Sequence, residues 1–345
     1  MPKRYLGNII TDTPTEPAGS YANDAASGVW SLAEANAYTA AGLWPIAGNV
    51  LERAVFGGGF DASSHSNVMD YFSIATTGNA TDFGNLTLAR EYPASGSSST
   101  RGVFAGGRDS GGCVNTIDYM TILSTGNASD FGDLTSSRKG ASGMSNATRA
   151  VFSAGELTSG SKVNILDYIT IATTGNALDF GDLTYASTTA TAGGSNSTRG
   201  VVAGGENGGA GYVDINYITF ASTGNTSDFG DLTQGTKFGA GMSNATRTIV
   251  VGGYDGGYLN VIQFFTTATL GNSSDFGDAS AQWLYLGAAA GATRGLYGGG
   301  ENPTTTTNSV EYVTIATTGN GTDFGDLTVA RYELPALSNN HGGLQ

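Results

Sequence analysis

The residues with chemistry to offer in this chain are few, and most of them recur. Asp-Phe-Gly stands at Asp82, Asp130, Asp179, Asp228, Asp275 and Asp323, and in five copies a second Asp follows three residues after the first; Asn85 takes that place in the first copy. Two carboxylates at this spacing, with an Asn nearby, could enter a Ca²⁺ cage, but Ca²⁺ takes about six to eight oxygens. A turn held by Asp side chain to backbone bonds explains the same residues. An arginine recurs in step at Arg53, Arg101, Arg149, Arg199, Arg247 and Arg294. The expectation is a structural one: these Arg and Asp residues pair within or between repeats through charge-assisted, bidentate bonds. A kinase carries a single Asp-Phe-Gly, so six exclude that reading. Histidine occurs only at His65 and His341, and cysteine only at Cys113, so no intrachain disulfide can form. Glycoside hydrolysis needs two carboxylates flanking the bond. Asp61, Asp109, Glu206, Asp255 and Glu301 are acids of predicted loops, but no spacing selects a pair. No catalytic residue, metal site or cofactor is assigned.

The elements that position these residues follow from the period. The motif returns after 48, 49, 49, 47 and 48 residues, which marks one supersecondary unit copied six times and unable to bury its apolar face alone. Glycine is abundant (54 residues), charged residues make up 13% and the net charge is −14. Alternating Val, Ile, Tyr and Phe runs argue for ordered β structure over disorder. The acidic balance disfavours nucleic acid or an anionic membrane as partner and serves solubility. No apolar stretch follows Met1 to Arg4, so no signal peptide is expected, nor is a membrane span. Triplets such as Asn146-Ala-Thr148 are read as turns.

In the second copy, Arg101 to Gly107 reads as a buried strand b stopped by glycines, and Asn115 to Leu123 as a period-2 strand c. Thr-Gly-Asn then suits a hairpin turn, with Gly supplying φ > 0. Strand d carries the motif with its Phe as buried anchor, and the stretch from Leu-Thr to Ser-Asn supplies strand a. Four antiparallel strands in each of six copies predict an all-β, six-bladed propeller. Residues 327–340 supply a strand a with no b after it, while the first copy, starting at Arg53, lacks one. The C-terminal strand should therefore close the first blade and remove a free sheet edge.

This order of a small-residue strand, an apolar strand ending Gly-Gly, an Asn-x-x-x-Tyr strand and a last strand with an aromatic resembles the kelch repeat, with Phe where Trp is usual. The resemblance covers about 300 residues and implies fold, not function. A copper oxidase on this fold, of the galactose oxidase kind, would need several His and Tyr ligands and a cross-linked Cys. Two distant His and one Cys do not meet that demand.

Residues 1–48 fall outside the repeat and form an arm, with residues 49–345 as the propeller. Ser31-Leu-Ala-Glu34 is a capping box, and a short helix is expected from there to about Ala41, ended by Gly42 and Pro45. The runs Ser27-Gly-Val-Trp-Ser-Leu-Ala-Glu34 and Ala41-Gly-Leu-Trp-Pro45 resemble a segment of tailed-bacteriophage virion proteins that precedes a repeat region. That resemblance implies a virion structural or host-attachment protein, assembled in the host cytoplasm and held to other virion proteins through residues 1–48. The sequence leaves open whether the arm associates with its own copies.

The c–d turn and strand d hardly vary between copies, whereas the b–c and d–a connections do, and in an antiparallel blade those two emerge on one face. Variation on a fixed scaffold is how loop-borne recognition is built. The face is expected to display His65, Arg108, Asp109, Tyr212, Tyr254, Asp255, Tyr258, Trp283 and Glu301. Aromatics with acids and amides suit a host surface glycan, or a host protein. The alternatives are a purely structural decoration or connector protein of the capsid, neck or tail, and a carbohydrate-active enzyme.

Overall fold

The computed structural model describes residues 4–6, 9–11, 51–187, 192–206 and 208–344. The chain separates into two compact units, Met1–Leu51 and Glu52–Gln345. In the first, Arg4–Leu6 pairs antiparallel with Ile9–Thr11; the helix expected over residues 31–41 lies outside the described residues.

The second unit is a propeller of six four-stranded blades, each ordered a-b-c-d. Blade 2 is typical: strand a is Ala94–Ser97, b Arg101–Ala105, c Thr116–Thr121 and d Ser129–Asp133. Blade 1 takes b, c and d from Arg53–Gly57, Val68–Ser73 and Thr81–Asn85, and its strand a from the other end of the chain. Ala336–Ser338 pairs antiparallel with b, Leu337 opposite Val55, so the ring closes as the sequence predicts. Strand a is shorter than expected everywhere. In blades 3 to 5 the Leu-Thr stretch (Ala-Ser in blade 5) prolongs strand d instead, to Ser187, Thr236 and Trp283. The only helix among the described residues is the 3₁₀ turn Gly342–Leu344, and none is long and apolar enough to cross a membrane.

The repeat motif is a clasp between blades. The turn glycine of each c–d hairpin donates its N–H to the motif Phe carbonyl of the preceding blade: Gly126 to Phe83, Gly175 to Phe131, and so round to Gly78 on Phe324. The next turn residue, an Asn, accepts through Oδ1 from the backbone N–H that follows the motif glycine, as Asn127 does from Asn85 and Asn176 from Asp133. That donor is main chain, so Asn85 serves as well as Asp. The motif glycine is obligatory: at Gly132 φ is +142°, and a Cβ would lie 2.5 Å from the Gly175 carbonyl oxygen. The Phe is buried and meets the strand-c aromatic edge-on, as Phe131 meets Tyr119 at 5.9 Å.

The expected pairing of repeated Arg with motif Asp is not made. All six motif Asp residues are exposed on strand d, the outermost strand, where a charge discourages pairing with a foreign edge. Each Arg lies over the strand-c ring of its own blade and donates to a carbonyl in the next: Arg101 sits 4.5 Å above Tyr119 and bonds Ile171 O at 2.8 Å. Buried ion pairs do form, from a different arginine. Four residues after the Leu of Leu-Thr stand Arg90, Arg138, Ser187, Thr236, Trp283 and Arg331. The three arginines meet strand-c acids: Arg90 with Asp118 at 3.1 Å, Arg138 with Asp167 at 2.7 Å and Arg331 with Asp70 at 2.8 Å, all with side chains at 0% exposure. Burial raises the Asp70 carboxyl although Arg331 opposes the shift. Where the arginine is lost the acid position changes too, to Asn216 in blade 4 and Gln263 in blade 5. In blade 6 it is Glu311, held by the Tyr297 hydroxyl at 2.6 Å. In all six blades the Thr or Ser after the Leu (Ala279 in blade 5) caps this strand-c group, as Thr135 Oγ1 does Asp167 at 2.6 Å.

Strands a line the axis, and their Ser, Gly and Ala residues permit close approach: a Cβ on Gly143 would lie 1.8 Å from Ser95 O. Seryl hydroxyls bridge neighbouring strands, Ser97 to Ser338 O and Ser195 to Ser145 O, each at 2.7 Å. One end of this axial space is closed by the C-terminal tail. His341 Nε2 lies 3.1 Å from Ser97 O, and full burial lowers the imidazole to about 4.

Candidate functional site: the mouth of the propeller

The b–c and d–a connections share one face, as expected, and at the axis they build a mouth from two concentric sets of residues. The first set is the residue after each Gly-Gly (Ala-Gly in blade 3): Phe60, Arg108, Glu156, Glu206, Tyr254 and Glu301. In five blades this residue makes a backbone bridge to the d–a connection, opposite Tyr332, Glu91, Lys139, Lys237 and Leu284 in the same order. The side chains of four of these pairs match: Phe60 meets Tyr332 at 5.6 Å, Arg108 pairs with Glu91, Lys139 with Glu156 at 3.4 Å, and Lys237 lies 5.5 Å from the Tyr254 ring.

The second set follows one residue after these bridge partners on the d–a connections and forms a collar. Tyr92, Gly140, Phe238, Tyr285 and Glu333 all have positive φ, between +54° and +69°. Their main chains bond around the axis: Tyr92 N–H donates to Glu333 O, Glu333 N–H to Tyr285 O, and Tyr285 N–H to Phe238 O. A left-handed Tyr, Phe or Glu costs roughly 1–2 kcal/mol, and such residues persist only where their surroundings over-determine them. The collar rims the axial space on this side, and a cavity of about 170 Å³ is lined by the collar, strands a and His341.

Together the two sets bring aromatic rings into a row. Phe238 lies 4.7 Å from Tyr285, Tyr285 6.1 Å from Tyr332 and Tyr332 5.6 Å from Phe60, with Tyr92 edge-on to Tyr285 at 5.7 Å. All five are half-buried. Beside the row stand two acids, Glu333 and the buried Glu91. Burial, with Glu91 close by, pushes the Glu333 carboxyl up to about 9, so it holds its proton at neutral pH. Glu91 is 2% exposed and is neutralised by Arg108, with His65 Nε2 at 3.7 Å. Burial and Glu333 push the Tyr92 hydroxyl well above its ordinary value. Burial also raises Glu301.

Of the nine residues expected on this face, the mouth gathers His65, Arg108, Tyr254, Tyr258 and Glu301. Tyr258 packs on Tyr254 at 6.0 Å. Tyr212 stacks on Tyr185 at 4.8 Å. Asp109 accepts the N–H groups of Gly111 and Gly112 within its own tight hairpin, and Asp255 accepts from Gln234. Trp283 is not displayed. It fills the position that Arg90 and Arg138 hold in other blades, 3% exposed and edge-on to Tyr297 at 6.5 Å. Missing from the expectation were Glu91, Tyr92, Lys139, Glu156, Lys237, Phe238, Tyr285, Tyr332 and Glu333. The sequence signal existed: they are the residue after Gly-Gly and the two residues following the Arg90-type position.

Among the described residues no group of three or more His, Cys, Asp or Glu stands where it could hold a metal ion. In comparisons with known proteins, no family model matches the chain and no curated protein does. The fold and the mouth alone define its class: a six-bladed propeller with an aromatic, ion-paired axial site.

Proposed function

We propose that the chain is a non-enzymatic virion protein of a tailed bacteriophage, an adhesin whose propeller mouth binds a surface saccharide of the host. The observation that carries the binding reading is the half-exposed row Phe238–Tyr285–Tyr332–Phe60, with Phe238 and Tyr285 held at positive φ and charged pairs along its edge. Sugar rings offer apolar C–H faces to such rings, and their hydroxyls need fixed donors and acceptors beside them. The virion setting, with residues 1–48 as the tether, rests on the resemblance of residues 27–45 to phage segments.

The test is binding of the full chain to an array of bacterial surface oligosaccharides, beside a Tyr332→Ala variant. Binding by the native chain, weakened about a hundredfold in the variant with an unchanged melting curve, is expected. An array on which the two proteins behave alike would sink the reading.

A further inference from the structure

We infer that the saccharide taken by this mouth carries a carboxylate, and that the carboxylate sits among Lys139, Lys162 and Lys237. The inference rests on the saccharide reading above and names the chemical class of its ligand. The chain has a net charge of −14 and only four lysines, the fourth being Lys3. The other three converge on one sector of the mouth. Lys139 pairs with Glu156 at 3.4 Å, while Lys162 and Lys237 share Glu206 at 3.3 and 3.1 Å. Their side chains are only 21%, 18% and 14% exposed, although lysine ordinarily extends into water and gives up about 2 kcal/mol of rotamer entropy when fixed. Lys139 is held 5.6 Å from the Tyr92 ring and Lys237 5.4 Å from Phe238, so two of the three also lie over the collar.

Three ammonium groups face two carboxylates, which leaves one net positive charge in a strongly acidic protein. Each ammonium has three donors, roughly nine in all. Among the described residues the ion pairs use three, and one more goes from Lys237 to Gly209 O at 2.7 Å. Donor capacity exceeds the acceptors supplied, and an acceptor-rich anion fits that excess. The opposite sector is built the other way. There Glu91 is already matched by Arg108, and Glu333 and Glu301 lie where burial disfavours the charged form. A further negative charge is unwelcome beside them, while sugar hydroxyls can bond to both. Lys139, Glu156 and Glu206 line an open hollow of about 210 Å³ with Tyr92, Gly140, Phe238 and Tyr285, and Lys162 and Lys237 border it through their shared partner Glu206. This is below the roughly 300–1,000 Å³ of sites for drug-sized ligands. It suits one acidic residue at the end of an oligosaccharide whose remainder lies along the aromatic row.

Uronates and sialates both present this carboxylate, and matched probes separate them. Calorimetry on the full chain would compare tetragalacturonate with its methyl ester, and sialyllactose with lactose. It would be repeated with Lys237→Gln, Lys139→Gln and the control Lys3→Gln. One acidic probe should bind about tenfold or more tighter than its neutral partner, and its identity names the acid. Lys237→Gln and Lys139→Gln should each cut the preference for that probe over its neutral partner about tenfold. Affinity for the acidic probe should also fall with added salt, less steeply in Lys237→Gln. Equal binding of acid and neutral partner, or unchanged binding by both lysine variants, overturns the inference and leaves the saccharide reading standing. Failure of all four probes overturns both.

Discussion

Glu333 should make the propeller less stable as the pH rises, and replacing it with Gln should remove that loss. Its carboxyl is buried against Glu91 and is pushed from 4.5 to about 9. A raised folded-state value means that the folded chain holds the proton more tightly than the unfolded chain does. The contribution is complete below about pH 4.5 and is lost progressively as the pH climbs towards 9. From 4.5 to 7 is ~2.5 pH units, and each unit corresponds to ~1.4 kcal/mol, so the ceiling of the loss at pH 7 is about 3 kcal/mol. The mouth is open on one side and Arg108 offers partial relief, so about 2 kcal/mol is the working figure. Gln reproduces the shape and neutrality of the protonated acid. Urea unfolding of both proteins from pH 5 to 8 should show Glu333→Gln ahead by a margin that grows about 1 kcal/mol per pH unit, with equal m-values. Groups outside this cluster titrate alike in the two proteins and cancel. Parallel stability curves would refute the reasoning, for they would mean that Glu333 ionises in the folded state without penalty.

Two further outcomes follow from the blades. Asp167→Asn or Arg138→Ser alone leaves a buried charge unmatched and should cost about 3–5 kcal/mol. The double variant reproduces the Ser187 and Asn216 of blade 4 and should recover at least about 2 kcal/mol of the summed loss, read as coupling in a double-mutant cycle. Ending the chain after Asp326 removes Ala336–Ser338 and exposes the inner edge of blade 1. The melting temperature should fall by roughly 10 °C or more, and an unchanged transition would contradict hydrogen-bonded closure of the ring.

The architecture was legible because it is repeated. Six copies of a Gly-Asn turn and an anchored Phe leave few alternatives, and the missing strand of the first blade has a single candidate at the far end of the chain. Pairing partners were less legible, because sequence shows which residues recur but not which way they point. Arg101 and Asp130 recur together yet belong to different jobs, one spanning to the next blade and one standing on an exposed edge. Arg138 and Asp167 pair, but only three blades keep the arginine, so the period hides them. Trp283 looks like an exposed loop aromatic in sequence for the same reason, because its counterparts in the other copies are small or charged while its position is interior. The collar was missed because it depends on φ > 0 at Tyr92, Phe238, Tyr285 and Glu333, a conformation that these residue types do not announce.

Closure of the ring by the chain's two ends also has a mechanical side. Strand b of blade 1 begins at Arg53 and lies between strand a, Ala336–Ser338, and strand c, Val68–Ser73. Tension arriving along the backbone at residue 53 would therefore enter an interior strand and not an edge one. To free that strand, two ladders must break, one to each neighbour.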